Sequence, residues 1–117
     1  MDYSALNNKL CAITIVNTQK IINETIPVNN FSFMRLRDVL IKTGKILSED
    51  FDHQVYIASI KGGFAKRNNA TVAFQLLEDK IVIAAYADEG LINQHTCEGV
   101  INEFKRTIAD YTPGTKQ

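Results

Sequence analysis

The sequence predicts an α+β domain: a three-stranded antiparallel meander packed against a long C-terminal helix, in the order α-α-β-β-β-α. Three observations carry this expectation. Towards both ends of the chain, apolar residues recur at three- and four-residue steps, the period of a helix with one buried face. Between residues 54 and 87 the pattern changes to short runs of Val, Ile, Phe and Tyr, the residues that fit a pleated surface. The connections between those runs are too short for parallel crossovers, which leaves an antiparallel arrangement.

The first 25 residues admit two readings. As a helix, Tyr3, Leu6, Leu10, Ile13, Asn17 and Ile21 share one face. As a strand, residues 11–16 form a β-branched run of ordinary length. The longer periodic pattern favours the helix. A second helix is expected over 32–48, capped by Ser32, with Leu36, Val39, Leu40, Thr43 and Leu47 on its apolar face. Gly44 weakens it by up to ~1 kcal/mol relative to alanine. Strands are expected over 54–60, 70–77 and 80–87. Glu78 and Asp79 join the last two in a tight hairpin, while Gly62-Gly63 and Asn68-Asn69 mark a longer first one. The last helix, about 89–111, is the clearest element: Cys97, Val100, Ile101, Phe104, Ile108 and Tyr111 form one stripe. Asp88 can cap its start and Pro113-Gly114 stop its end. Residues 1–112 are thus read as one domain, and 113–117 as a flexible tail.

Composition bounds the function. The chain has 117 residues, 45% hydrophobic and 22% charged, as in an ordinary globular domain rather than a disordered segment. Thirteen basic and thirteen acidic residues cancel, which argues against a strongly basic nucleic-acid binder at the level of the whole chain. No apolar stretch approaches the ~20 residues that span a bilayer, so no membrane partner is expected. The N-terminus carries no basic region followed by an apolar run, which makes the cytoplasm the expected location. Cys11 and Cys97, the only cysteines, are then expected as reduced, buried thiols.

The most informative feature is a sheet with no polar face. Val72, Phe74 and Leu76 alternate with Ala73, Gln75 and Leu77; Ile81, Ile83 and Ala85 alternate with Val82, Ala84 and Tyr86. Val55, Ile57 and Ser59 likewise alternate with Tyr56, Ala58 and Ile60. Antiparallel sheets with one wet face alternate apolar with polar instead. Several hundred Å² of bare apolar surface would be more than a soluble monomer usually tolerates, so both faces need covering. Three covers are open: helices of the same chain, a second copy of the chain, or a small apolar ligand in a cavity.

No catalytic, cofactor or metal site is expected. His53 and His95 lack a second His or Cys at ligand spacing, and His95 and Cys97, two apart on a helix, point away from each other. The acidic groups 49–52, 78–79 and 88–89 fall at expected turns and helix ends, where carboxylates cap and solvate. The loop from Lys61 to Asn69 is basic and holds an aromatic residue. Lys61, Phe64, Lys66 and Arg67 could take single-stranded nucleic acid by phosphate contact and stacking, although a solubilising hairpin reads identically.

The leading functional expectation is a non-catalytic protein-interaction module acting as a homodimer through the second sheet face or the first helix. The next is a carrier of a small apolar ligand between the sheet and the last helix, with Tyr56, Phe74, Tyr86, Phe104 and Tyr111 lining the pocket. Weak single-stranded nucleic-acid binding through the basic hairpin ranks third.

Overall fold

The structure, a computed structural model, describes residues 3–13, 20–62, 68–87 and 95–111. Its elements are α1 (Ser4–Ile13), β1 (Ile22–Pro27), α2 (Phe33–Thr43), β2 (Gly44–Asp50), β3 (Val55–Gly62), β4 (Asn68–Leu76), β5 (Lys80–Tyr86) and α3 (Thr96–Tyr111). The fold class is α+β as expected, but among the described residues the sheet has five strands rather than three. All neighbours are antiparallel, in the order β1-β5-β4-β3-β2. The expected meander is its centre, and two unforeseen strands form its edges.

Both corrections have local causes. The helix expected over 32–48 stops at Thr43, and the chain turns straight into β2. At Gly44 a Cβ would stand 2.3 Å from the Ser59 carbonyl oxygen, so only glycine lets the two strands close there. Its N–H caps the Leu40 carbonyl, and the Thr43 hydroxyl donates to that of Val39 at 3.0 Å, ending the helix cleanly. Leu47, expected on the helix face, is instead the extra residue of a bulge between Ile46 and Ser48 and is exposed. β1 was concealed because it is an edge strand with only Ile26 fully buried.

α1 begins as expected, and residues 11–13 are helical, against the strand alternative; 14–19 lie outside the described residues. The element order is therefore α-β-α-β-β-β-β-α. α3 begins at Thr96 rather than near 89: His95 precedes it with φ 56°, a left-handed backbone that no helix continues, and its carbonyl accepts from the Gly99 N–H. The tail 113–117 lies outside the described residues. Among the described residues no helix is long and apolar enough to cross a membrane.

The two sets of alternating side chains face the two sides expected. Tyr56, Ala58, Ile60, Val72, Phe74, Leu76, Ile81, Ile83 and Ala85 meet α2 and α3, whose Leu36, Val39, Leu40, Cys97, Val100, Ile101, Phe104 and Ile108 complete the larger core. Val55, Ile57, Ala73, Val82 and Ala84 meet Leu6 and Leu10 of α1 in a smaller one. These residues of the second face are thus packed under the chain's own first helix. Side-chain hydrogen bonds fix α1 over the edge: Asn23 Nδ2 donates to Asn7 Oδ1 at 2.8 Å, and the Tyr3 hydroxyl pairs with that of Thr25 at 2.9 Å. Glu24, pointing to the other face, accepts from Lys105 of α3 at 2.6 Å. Cys11 on α1 and Cys97 on α3 lie on opposite sides of the sheet and form no disulfide.

Candidate functional site

Of the five aromatic residues expected around a pocket, three sit in the larger core. Phe74 and Phe104 pack with ring centroids 4.6 Å apart, and Tyr56 stacks on Phe33 at 4.0 Å with the rings 9° from parallel. Tyr56, Phe74 and Phe104 are all buried. Tyr86 faces the other way and joins the α1 cluster, so the thickness of the sheet separates it from them. The side chain of Tyr111 lies outside the described residues.

Tyr56 carries the one polar anomaly of this core. Its hydroxyl is buried with no hydrogen-bond partner among the described residues. Glu49 stands directly opposite on β2 without an oxygen in hydrogen-bond geometry. Burial pushes the phenol up to about 12, and the Glu49 carboxylate adds to the rise. Stability tied to this raised value is full below pH 10 and is lost as pH climbs towards 12. Tyr56→Phe removes the orphaned hydroxyl, so it is expected to raise stability by ~1 kcal/mol at neutral pH and to flatten the alkaline limb. Denaturant melts at neutral and alkaline pH check both; a destabilised variant would mean that the hydroxyl has a partner.

A second titrating site ties α1 to the β2–β3 turn. Asp50 Oδ2 accepts from His53 Nδ1 at 2.8 Å and from Lys9 Nζ at 3.1 Å, while Oδ1 accepts from the His53 N–H at 3.2 Å. The turn is tight: Gln54 has φ 57°, and its side-chain amide donates to the Phe51 carbonyl at 2.9 Å. The His53 ring first, and Lys9 second, hold the Asp50 carboxyl down to about 2. A lowered folded-state value gives stability that is complete above pH 3.8 and lost as pH falls towards 2. Asp50→Asn is therefore expected to weaken the acid dependence of unfolding across that interval, read by circular dichroism. An unchanged acid limb would show that the contacts are not formed in solution. Among the described residues no group of three or more His, Cys, Asp or Glu side chains gathers as a metal site would.

Of the basic hairpin, Lys61 is exposed near the end of β3; Phe64, Lys66 and Arg67 lie outside the described residues. Lys61 does line a groove of about 510 Å³ where three elements converge. Lys42 and Thr43 come from the end of α2, Ile60 and Gly62 from β3, and Gly99, Val100 and Arg106 from α3. At Gly62 a Cβ would meet Val100 Cγ2 at 2.6 Å and the Thr96 carbonyl at 3.2 Å, so a bare strand lets α3 settle against it. The Asn68 amide donates to the Thr96 hydroxyl at 3.2 Å and pins the first turn of α3 to the same hairpin. Arg106 pairs with Glu103 one turn earlier on the groove wall. No single run of sequence signals this site, because its walls come from three separate segments.

The other surface feature lies on α2. Met34 is 57% exposed and Ile41 51%, and their seven-residue spacing puts them on one outward face. Leu47 on β2 and Phe51 in the following turn are also exposed, Phe51 at 69% with its ring edge against Phe33 at 5.7 Å. Among the described residues, four of the six large exposed hydrophobic side chains thus belong to α2 and the strand and turn that follow it. The inward pattern of α2 was legible in the sequence; this outward one was obscured by the charges around it. Comparison with known protein families, with curated proteins and with solved structures finds no match for this chain.

Proposed function

We propose that this chain is a protein-interaction module that acts as a homodimer, through the outer face of α2. The observation that carries the reading is the self-complementary pattern of that face. Met34 and Ile41 flank Arg37 and Asp38. Laid antiparallel against its twin, α2 sets Met34 against Ile41 and Arg37 against Asp38. A two-fold interface demands that one surface be its own complement in this way. Leu47 and Phe51 add exposed apolar side chains on the strand and turn that follow the helix. Arg37 is already positioned by Glu49 of the same chain at 3.6 Å, which limits the ordering that binding requires. The partner surface expected from the sequence is the second sheet face or the first helix; with α1 packed on that face, the proposed surface is the outer face of α2.

Sedimentation equilibrium at micromolar concentration is expected to give twice the 13.1 kDa of one chain. Met34→Glu with Ile41→Glu, both on exposed positions, should return the single-chain mass while leaving the circular dichroism spectrum unchanged. A wild-type chain that stays at 13.1 kDa overturns the reading.

A further inference from the structure

We infer that dimerisation hands Glu49 from Arg37 to Tyr56: when Arg37 turns to the partner's Asp38, the freed Glu49 carboxylate accepts from the buried Tyr56 hydroxyl. The inference rests on the pairing of α2 outer faces proposed above. Two observations meet at Glu49. Arg37 Nε lies 3.6 Å from its Oε2, with the two side chains 41% and 46% exposed. A loose, solvated ion pair of this kind contributes little and breaks readily. Glu49 also stands directly across from Tyr56 in the β2–β3 register, which puts both side chains on the α2 side of the sheet. The Tyr56 ring is fixed there, fully buried and 4.0 Å from the parallel ring of Phe33, so an acceptor has to come to its hydroxyl. That hydroxyl has no hydrogen-bond partner among the described residues. After burial, the Glu49 carboxylate is the next cause of its raised pKa, so the carboxylate is near, yet outside hydrogen-bond geometry. A buried donor without a partner is costly, and a carboxylate is its strongest acceptor. The single chain thus carries an unmet donor that the dimer satisfies, and the two-fold axis repeats the exchange in both copies.

The test is the dimer dissociation constant of the intact chain, measured by analytical ultracentrifugation over a dilution series. Tyr56→Phe is expected to weaken association by about fivefold for each chain, and so about 25-fold for the pair. Glu49→Ala removes the acceptor, so adding Tyr56→Phe to it should change nothing further. Glu49→Gln keeps an acceptor oxygen, and in that background the sensitivity to Tyr56→Phe should return. In the single-chain Met34→Glu, Ile41→Glu background, Tyr56→Phe should instead raise the thermal midpoint, the sign that an orphaned hydroxyl gives. A midpoint that falls there means that the hydroxyl is already satisfied in the single chain, and overturns the inference. So does an effect of Tyr56→Phe on association that persists beside Glu49→Ala. A wild-type dimer whose dissociation constant ignores Tyr56→Phe overturns the exchange and leaves the α2 interface standing. A wild-type chain that stays at 13.1 kDa removes the interface and the exchange together.

Discussion

Replacing Phe104 with alanine is expected to lower the free energy of unfolding by about 3–5 kcal/mol. Phe104 is 2% exposed, at the middle of the α3 stripe, and its ring packs on Phe74, which is 1% exposed. The far wall of the resulting cavity would be the sheet itself, whose backbone is fixed by ladders on both sides of β4. Such a site collapses poorly, so the cavity cost adds to the lost transfer energy. Domains of this size have about 5–15 kcal/mol in total, so the variant should melt far earlier and sit near its unfolding threshold. Urea titration followed by far-ultraviolet circular dichroism measures the change, and Phe104→Leu should recover more than half of it. A loss below about 1 kcal/mol would mean that the two rings do not pack.

Gly62→Ala is expected to cost about 1–3 kcal/mol, an unusual penalty for one methyl group on a strand. The new Cβ would lie 2.6 Å from Val100 Cγ2 and 3.2 Å from the Thr96 carbonyl oxygen. The methyl of Val100 can shift, but Thr96 is buried backbone at the start of α3, held by Asn68. Relief must come from tilting the helix or from the valine. Val100→Ala should therefore cost less in the Gly62→Ala background than in the wild type, a coupling that a double-mutant cycle isolates. The contrasting control is Gly99→Ala, where open space surrounds the added atom and helix propensity should raise stability by about 0.5–1 kcal/mol. A neutral Gly62→Ala would show that α3 does not rest on β3 there.

The parts of the fold that the sequence discloses are those where burial is strong enough to write a period. The α3 stripe from Cys97 to Ile108 is read correctly, as are the faces of the buried apolar residues of β3, β4 and β5, whereas Leu77, expected on the second face, falls beyond β4 and is exposed. The edges are not. β1 offers Asn23, Glu24 and Thr25 between its isoleucines, because one side of the strand bonds α1 through polar groups and the other meets Lys105. β2 is masked by coincidence: Leu47 continues the helical spacing of Val39 and Leu40, although its true position is a bulge. Gly44 is the only sign of the switch, and its reason, the approach of Ser59, is a tertiary contact. The sites fare similarly. Lys61 was legible as part of a basic loop, whereas its grouping with Lys42 and Arg106 depends on how three distant segments meet.

The place of β1 in the sheet constrains the order of assembly. β2 to β5 are each paired with the strand next along the chain, so they can zip together by local steps. β1 instead reaches past all of them to β5, setting Pro27 beside Lys80 and Ile22 beside Ala85. That long closure has little to dock against until the hairpin ahead of it exists. During synthesis β1 must therefore stay unpaired, with α1 idle alongside, until β5 has been made.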